Sequence, residues 1–288
     1  MNTGQIVITG CNGQLGRALQ ARYPDAVALD IDELDIADAE AVAAFDWSDI
    51  RFVLNAAGYT NVNGAETPAG RLAAWRGNAQ AVANLAQVAL ARTITLVHIS
   101  TDYVFDGTRA PYAEEAEFAP LGVYGASKAA GDVAVGLVPR RYLLRTSWVI
   151  GDGKNFVRTM LDLARRGVNP AVVSDQIGRP TFTAELVRAI DHLLATRAAH
   201  GTYHLSNSGP PVSWADFTRE IYFRAGLPAT VTDITTAAYQ AGTSGVAPRP
   251  PDSSFNLAKI QATGFVSRDW RPALADYLAG GCDGTRCR

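Results

Sequence analysis

The chain has 288 residues, of which 48% are hydrophobic, and its 26 basic and 28 acidic residues give a formal net charge of −2. This apolar content excludes an intrinsically disordered chain, and the balanced charge argues against a nucleic-acid partner, which selects basic surfaces. No apolar stretch approaches the roughly 18 residues that span a bilayer, and no basic and apolar leader is visible. We therefore expect a cytoplasmic protein with no membrane partner.

Short β-branched segments alternate with alanine-rich segments through the first half of the chain. This alternation predicts an α/β fold with a doubly wound parallel sheet of the Rossmann type. The predicted strands are 6–9, 26–30, 52–55, 96–100 and 142–145, and the predicted helices are 15–22, 39–45, 72–90 and 124–136.

After residue 150 the alternation loosens, which predicts a smaller C-terminal α/β part. Helices are predicted over 156–166 and 184–196 and after an N-cap at Ser213, with short strands over 171–173 and 203–205. Residues 242–254 are rich in Pro, Gly and Ser and are predicted to form a long loop. We therefore expect a dinucleotide-binding domain (1–150), a mainly substrate-binding domain (151–280) and a disordered tail (281–288).

The three cysteines, Cys11, Cys282 and Cys287, are too few and too scattered for a disulfide framework or a four-ligand zinc site. We interpret all three as non-catalytic, and we expect no metal.

A glycine-rich loop follows the first predicted strand and leads directly into a helix. Gly10 permits a tight turn, Gly13 permits close approach of a pyrophosphate, and Gly16 permits close packing of helix on strand. The free N–H groups of the helix start favour the same pyrophosphate. The cofactor-binding residues predicted here are Gly10, Asn12, Gly13, Gln14, Leu15, Gly16 and Arg17.

The choice between NADH and NADPH stays open at this point. Asp30, which closes the second predicted strand, would bind the adenosine 2′-hydroxyl and repel a 2′-phosphate, whereas Arg17 could neutralise that phosphate. Further cofactor contacts are predicted at Asp35 and Ile36, in a turn that either covers the adenine or is solvated. The end of the next predicted strand, Asn55, Ala56 and Ala57, is also predicted to contact the cofactor. Its small residues either let the cofactor lie against the backbone or merely form a tight turn.

Tyr124 and Lys128 lie four residues apart in a predicted helix, which places them on one face and one turn from each other. A lysine charge there is expected to lower the pKa of the phenol from its ordinary value of about 10, so that the phenol exchanges a proton at neutral pH. Thr101 ends the preceding strand with a hydroxyl that could bind the same substrate oxygen.

These motifs resemble the extended short-chain dehydrogenase/reductase family and, within it, the dTDP-4-dehydrorhamnose reductases. The resemblance spans most of the chain and includes a late Arg249-Pro250 segment. Besides the glycine loop it rests on STDYVFDG (100–107), YGASK (124–128), LRTSW (144–148), NFVRTM (155–160) and SDQIGRPT (174–181).

The resemblance implies reduction by NADPH or NADH of the C4 keto group of a dTDP-4-keto-6-deoxyhexose, converting dTDP-4-dehydrorhamnose to dTDP-L-rhamnose. Tyr124 would donate the proton, Lys128 would also hold the nicotinamide ribose, and Thr101 would orient the carbonyl. The implied substrate-binding residues are Thr101, Asp102, Tyr103, Trp148, Asn155 and Arg249. The alternative to substrate binding is a place in the core for Trp148. For Asn155 and Arg249 the alternative is a solvated position on the surface.

Three positions depart from the family pattern. Asn63 and Gly64 stand where the family commonly has Asp and Lys, which removes an acid and a base and leaves a different substrate open, and Ile150 stands where a Tyr is common. Some members dimerise through magnesium bound by an acidic residue early in the first helix, where this chain has Gln14, Ala18 and Gln20. We expect a monomer or a homodimer without such a metal site.

Three other functions are compatible with parts of this pattern. Nucleotide-sugar dehydratases of the family place Glu where this chain has Tyr103. A non-catalytic NAD(P)-binding regulatory subunit would need the glycine loop but no proton donor. A related nucleotide-sugar 4-ketoreductase giving another deoxysugar would share every motif. The presence of Thr101, Tyr124 and Lys128 together favours an enzyme.

Overall fold

The structure is a computed structural model that describes residues 3–241 and 245–280. The predicted tail, with Cys282 and Cys287, lies outside these residues. The strands are β1 (Ile6–Thr9), β2 (Val27–Leu29), β3 (Phe52–Asn55), β4 (Thr95–Thr101), β5 (Arg141–Thr146), β6 (Val149–Ile150), β7 (Ala171–Val173), β8 (Ile177–Gly178), β9 (Thr181–Phe182), β10 (Gly201–His204), β11 (Val212–Ser213) and β12 (Thr232–Ile234).

The α-helices lie between and after these strands. They are α1 (Gln14–Arg22), α2 (Ala39–Ala44), α3 (Pro68–Trp75), α4 (Ala81–Arg92), α5 (Val123–Gly136), α6 (Phe156–Arg165), α7 (Thr183–Thr196), α8 (Trp214–Ala225), α9 (Thr236–Ala241), α10 (Ala258–Gln261) and α11 (Trp270–Ala279). No helix in 3–241 or 245–280 combines the length and the apolar composition that crossing a bilayer requires.

Six strands form one parallel sheet in the order β10-β5-β4-β3-β1-β2. This confirms the predicted doubly wound parallel sheet. The chain adds β2 on one side of β1 and then β3, β4, β5 and β10 on the other side. Ligands of such sheets bind between β1 and β3, where the strand order reverses, beyond the carboxyl ends of the strands.

Both faces of the sheet are covered by helices, because the strands carry apolar side chains on both sides. In β1, Ile6 and Ile8 pack in one core with α1 and α7, whereas Val7 packs in the other with α2, α4 and α5. All three side chains have 0% exposure. The period of two along the strand therefore builds two cores from one buried sheet.

The predicted helix 72–90 is part of a longer helical segment that starts at Pro68, where Thr67 accepts a hydrogen bond from the Gly70 amide. Between α3 and α4, residues Arg76–Gln80 form a π-helical turn. The extra residue of a π turn changes which side chains face inward, and such turns occur frequently at functional sites. Nothing in the apolar pattern predicted it.

The second half of the chain builds a third core and also returns to the sheet. Val157, Phe217, Ile221 and Trp270 are buried together between α6, α8 and α11. Strand β10, however, extends the main sheet beside β5. The division at residue 150 into two binding domains stays a prediction. Helix α11 was not predicted, because its Pro272 favours a loop although proline is tolerated in a first helical turn.

Candidate active site

A cavity of about 770 Å³ runs along the carboxyl ends of the sheet strands. Its wall contains the glycine loop, the segments that follow β2 and β3, the end of β4 and one face of α5. Among the predicted site residues, those that line it are Gly10, Gly13, Gln14, Leu15, Asp30, Asp35, Ile36, Ala56, Ala57, Thr101, Asp102, Tyr103, Tyr124, Lys128 and Trp148. Those that do not are Asn12, Gly16, Arg17, Asn55, Asn155 and Arg249.

The glycine loop lies against neighbouring backbone so closely that side chains would not fit. Gly10 has a φ of +69°, and a Cβ there would lie 2.6 Å from the backbone of Ala57. At Gly16 a Cβ would lie 2.1 Å from the Gly10 carbonyl oxygen. Gly13 is the N-cap of α1 and makes no side-chain cap hydrogen bond. The first amides of α1 therefore have no side-chain cap beside the cavity.

The cavity end near β2 is acidic. Asp30 Oδ2 accepts from the Asn12 amide at 2.9 Å and Oδ1 from the Ile31 amide at 2.8 Å. The Asp30 amide in turn donates to Glu33 Oε2 at 2.9 Å. Arg17 lies outside the cavity wall, where its guanidinium donates to the carbonyls of Asn12 and Asp152.

Asp35 and Ile36 reach the cavity beside a residue that the sequence did not single out. The carboxylate of Asp35 pairs with Arg76, and this contact lowers the pKa of Asp35. Arg76 comes from the π-helical turn and also lines the cavity. A solvated Asp35 was the alternative, and the ion pair explains why the side chain stays at the wall.

Asn55 lies behind the cavity wall, where it ties three strands together. Its Oδ1 accepts from the Thr9 hydroxyl at 2.8 Å and from the Ala57 amide at 3.0 Å, and its Nδ2 lies 2.9 Å from His98 Nδ1. It therefore holds the turn that presents Ala56 and Ala57 to the cavity.

The predicted trio lies together on the cavity wall. The Thr101 hydroxyl donates to Asp102 Oδ1 at 2.9 Å. The Lys128 amino group donates to the Ile99 carbonyl at 2.6 Å and lies 3.5 Å from His98 Nε2. Burial lowers the pKa of Lys128 to about 8.

The pKa of Tyr124 moves in the direction opposite to the one expected. Burial raises it above its ordinary value and the charge of Asp102 adds to this, while the Thr101 hydroxyl lowers it. The amino group of Lys128 is held by the Ile99 carbonyl, and desolvation of the phenolate dominates. The phenol therefore keeps its proton at neutral pH, which is the state that a proton donor requires.

Asp102 and Tyr103 line the cavity next to Tyr124. Burial raises the pKa of Asp102 to about 6, against the effect of hydrogen bonds from Ser253 and Thr101. The Tyr103 ring packs edge-on against Tyr124 with 5.5 Å between centroids, and burial raises the pKa of Tyr103 to about 12.

Trp148 lines the cavity on a strained backbone. Its φ is +47°, which is rare for a bulky residue and costs conformational energy. The indole stacks on Trp214 with 3.5 Å between centroids, and a Cβ at Gly178 would lie 2.7 Å from its ring. The packing that holds this strained position supports a ligand-facing role over a purely core role.

Asn155 and Arg249 lie outside the cavity wall. Asn155 caps α6 by accepting from the Arg158 amide, and its own amide donates to Gly151 and Tyr277 at 2.7 and 2.8 Å. Arg249 donates to the Ala247 carbonyl and to Asn63 Oδ1, and its charge lowers the pKa of the cavity residue Tyr103. The structure therefore brings Arg249, but not Asn155, to the edge of the site.

Sequence reasoning missed several residues of the wall, including Tyr59 and Asn78. Asn78 Oδ1 accepts from the Tyr59 amide at 2.8 Å, and its Nδ2 donates to the Tyr59 carbonyl at 3.1 Å and to Ser127 Oγ at 3.0 Å. It thus fastens the segment after β3 to α5. An asparagine in a helix carries no sequence signal for this role.

The residues present fit a dinucleotide cofactor. The glycine loop is a cradle that any Cβ would obstruct, and an uncapped helix start lies at its end. Thr146 Oγ1 is buried on the cavity wall with no partner among the described residues. Within 3–241 and 245–280, no group of three or more His, Cys, Asp and Glu side chains could hold a metal ion.

Comparisons with known proteins identify relatives along nearly the whole chain. A dTDP-4-dehydrorhamnose reductase from Aggregatibacter actinomycetemcomitans is 38% identical and covers 96% of this chain and 98% of its own length. A Streptomyces antibioticus protein named "Probable dTDP-4,6-dihydroxy-2-methyloxan-3-one 4-ketoreductase" is 39% identical and covers 94% of this chain and 93% of its own length.

A solved structure is also similar over nearly its whole length. The dTDP-4-dehydrorhamnose reductase from Bacillus anthracis str. Ames in complex with NADP has a TM-score of 0.88 and 35% identity, and covers 96% of this chain and 99% of its own. The sequence pattern of the RmlD substrate binding domain matches residues 4–281. Since this match spans nearly all of the fold and of the cavity described above, the chain belongs to the RmlD substrate binding domain family.

Proposed function

We propose that this chain is an NAD(P)H-dependent oxidoreductase that reduces the C4 keto group of a dTDP-4-keto-6-deoxyhexose, and that its reaction converts dTDP-4-dehydrorhamnose to dTDP-L-rhamnose. The observation that carries the proposal is one cavity lined both by a dinucleotide cradle at Gly10 and Gly13 and by Thr101, Tyr124 and Lys128. A cofactor site without chemistry would not need a buried, protonated phenol at its far end.

The reduction adds a hydride to C4 and a proton to its oxygen, so that the carbonyl becomes a secondary alcohol. NADPH or NADH, when bound, supplies the hydride. Tyr124 gives the proton, which its raised pKa keeps in place until the oxygen gains negative charge. Thr101 positions the oxygen, and Lys128 lies beside Gly58, where a nicotinamide ribose would be held.

Relatives support both the substrate and the cofactor class. The reductase relative and the Bacillus anthracis structure with NADP are 38% and 35% identical to this chain over almost all of it. The Streptomyces antibioticus relative is named for a different dTDP-sugar ketone. A 4-ketoreductase that gives another deoxysugar is therefore the second candidate function. A cytoplasmic location and a monomeric or homodimeric state belong to the same proposal.

The test is reduction by the purified protein, followed as loss of nicotinamide absorbance. Each of NADPH and NADH is paired with dTDP-4-dehydrorhamnose and with a second dTDP-4-keto sugar, and NMR of the product reads the configuration at C4. Turnover of dTDP-4-dehydrorhamnose to dTDP-L-rhamnose supports the proposal. Cofactor binding with no turnover of any 4-keto sugar would instead support a regulatory subunit.

A further inference from the structure

His98 is a buried group that the reaction described above does not use. It lies in β4 with 0% exposure, between Asn55 and Lys128. Its Nδ1 is 2.9 Å from Asn55 Nδ2, and its Nε2 is 3.5 Å from Lys128 Nζ. A chain of polar contacts therefore runs from Thr9 through Asn55 and His98 to the amino group of the proposed catalytic lysine.

The orientation of Asn55 determines which nitrogen of His98 carries the proton. The backbone amide of Ala57 is an obligatory donor, and it lies 3.0 Å from one atom of the Asn55 amide, which must therefore be the oxygen. The Thr9 hydroxyl donates to the same oxygen. The Asn55 nitrogen then donates to His98 Nδ1, so the imidazole proton lies on Nε2.

This tautomer directs an N–H group toward Lys128. An ammonium group has no lone pair to accept from it, whereas a neutral amine has one. The amine would still keep a hydrogen for the Ile99 carbonyl, 2.6 Å away. The contact between His98 and Lys128 therefore favours the neutral form of Lys128.

The other charged groups near Lys128 do not remove this bias. Asp132, on the same helix, favours the ammonium, but it is paired with Arg145 of β5 at 2.8 Å. Tyr124 keeps its proton and carries no charge. The charge of Asp102, just beyond the end of β4, acts on Tyr124, whose pKa it raises. Burial of Lys128 acts in the same direction as His98.

We propose that His98 is a positioning residue, locked by Asn55 with its proton on Nε2, that destabilises the ammonium form of Lys128 and so sets the pH range in which the site works. The proposal rests on the proposed function for its role in the reaction, but not for its geometry. After Tyr124 has given its proton to the substrate oxygen, the ammonium form of Lys128 can return a proton to the phenolate and then take up another from solvent.

The first experiment reads the tautomer and the lysine directly. The chain has four histidines and three lysines, so labelled spectra are simple. In ¹⁵N-histidine protein, His98 is expected as the Nε2–H tautomer, unchanged across neutral pH, while His204 should be the Nδ1–H tautomer, because its Nδ1 faces the Tyr112 carbonyl. A His98→Gln variant assigns the signal. An Nδ1–H tautomer or a charged ring at His98 would overturn the proposal.

The lysine titration follows in ¹³C-lysine protein, with the exposed Lys154 and Lys259 as internal references. Lys128 is expected to titrate at a lower pH than both. Titration at or above the pH of the references would contradict the proposal. Neither spectrum depends on turnover, so an inactive protein would overturn the proposed function and leave this inference standing.

The second experiment reverses the tautomer. In Asn55→Asp the carboxylate still accepts from Thr9 and Ala57 but can only accept from His98, so the proton moves to Nδ1 and Nε2 becomes an acceptor for the Lys128 ammonium. The Lys128 titration should rise by about one pH unit or more, and the pH profile of kcat should move with it. A purely structural role would lower kcat at every pH without moving the titration, and that result would refute the proposal.

Discussion

Arg249 donates a hydrogen bond to Asn63 Oδ1 at 3.1 Å, joining two residues that lie 186 positions apart in the chain. The family commonly has an aspartate at the position that Asn63 occupies here. An aspartate there would neutralise the guanidinium, whereas a neutral amide holds it in place without neutralising its charge. The departure at position 63 therefore keeps a positive charge at the edge of the cavity, beside Tyr103.

Arg249→Ala should raise KM for the dTDP-sugar by about tenfold, because a charge-assisted hydrogen bond to a phosphate contributes roughly 1.5–3 kcal/mol. The affinity for NAD(P)H should not change. Arg51→Ala is the matched control, since Arg51 is exposed and precedes β3 at the opposite end of that strand. Steady-state kinetics with each substrate varied in turn make the measurement. Equal weakening of both ligands, or of neither, would contradict the assignment.

Asn63→Asp should weaken binding of the dTDP-sugar by placing a carboxylate 3.1 Å from the guanidinium of Arg249. We expect a severalfold rise in KM with kcat nearly unchanged, since the phosphates lie away from the reacting carbon. The effect should vanish in the Arg249→Ala background. A rise of the same size in both backgrounds would show that position 63 acts independently of Arg249.

Tyr124→Phe should lower kcat by about 100-fold or more with nearly unchanged cofactor affinity, because it removes the proton donor and keeps the ring. Tyr239→Phe, at an exposed tyrosine, is the control. Since burial raises the pKa of Tyr124, the wild-type enzyme should not lose its proton donor through deprotonation of Tyr124 at or below pH 10. A variant that keeps more than about a third of wild-type turnover would exclude Tyr124 as the donor.

Asp30→Ala should raise the ratio of kcat/KM for NADPH to that for NADH by about tenfold, which corresponds to roughly 1.4 kcal/mol, because a carboxylate beside the adenosine ribose repels a 2′-phosphate. Arg17→Ala should leave the ratio within about twofold, since the guanidinium is engaged by the carbonyls of Asn12 and Asp152. A tenfold fall in the Arg17 variant would mean that Arg17 reaches the phosphate after all, as the sequence alone allows.

Arg145→Ala should destabilise the fold by about 3–5 kcal/mol, because it leaves the carboxylate of Asp132 buried without its partner. The pair is at 2.8 Å with side-chain exposures of 5% and 0%. Arg219→Ala breaks exposed pairs with Asp216 and Asp233 and should cost at most about 1 kcal/mol. Urea unfolding of the wild type, Arg145→Ala and Arg219→Ala measures the loss of unfolding free energy in each variant. Similar losses in the two variants would show that burial of the Arg145 pair does not matter.

The sequence by itself determined five of the six strands of the sheet and the residues proposed for the two ends of the site. The segments 6–9 and 52–55 coincide with strands in the structure, because a strand buried on both faces carries a nearly continuous apolar run. Gly10 and the pair Tyr124 and Lys128 could be singled out because their proposed roles depend on local geometry: a turn in one case, one helical turn of spacing in the other.

Only the tertiary structure decided what lies between and behind those ends. Arg76 and Asn78 reach the cavity through a π-helical turn, and Trp148 is placed by Trp214, 66 residues away. The pKa of Tyr124 depends on burial, which a sequence does not express, so the expected direction was wrong. The tautomer of His98 depends on Asn55 in a neighbouring strand. Spacing along the chain reports contacts within one element, whereas contacts between elements arise from packing.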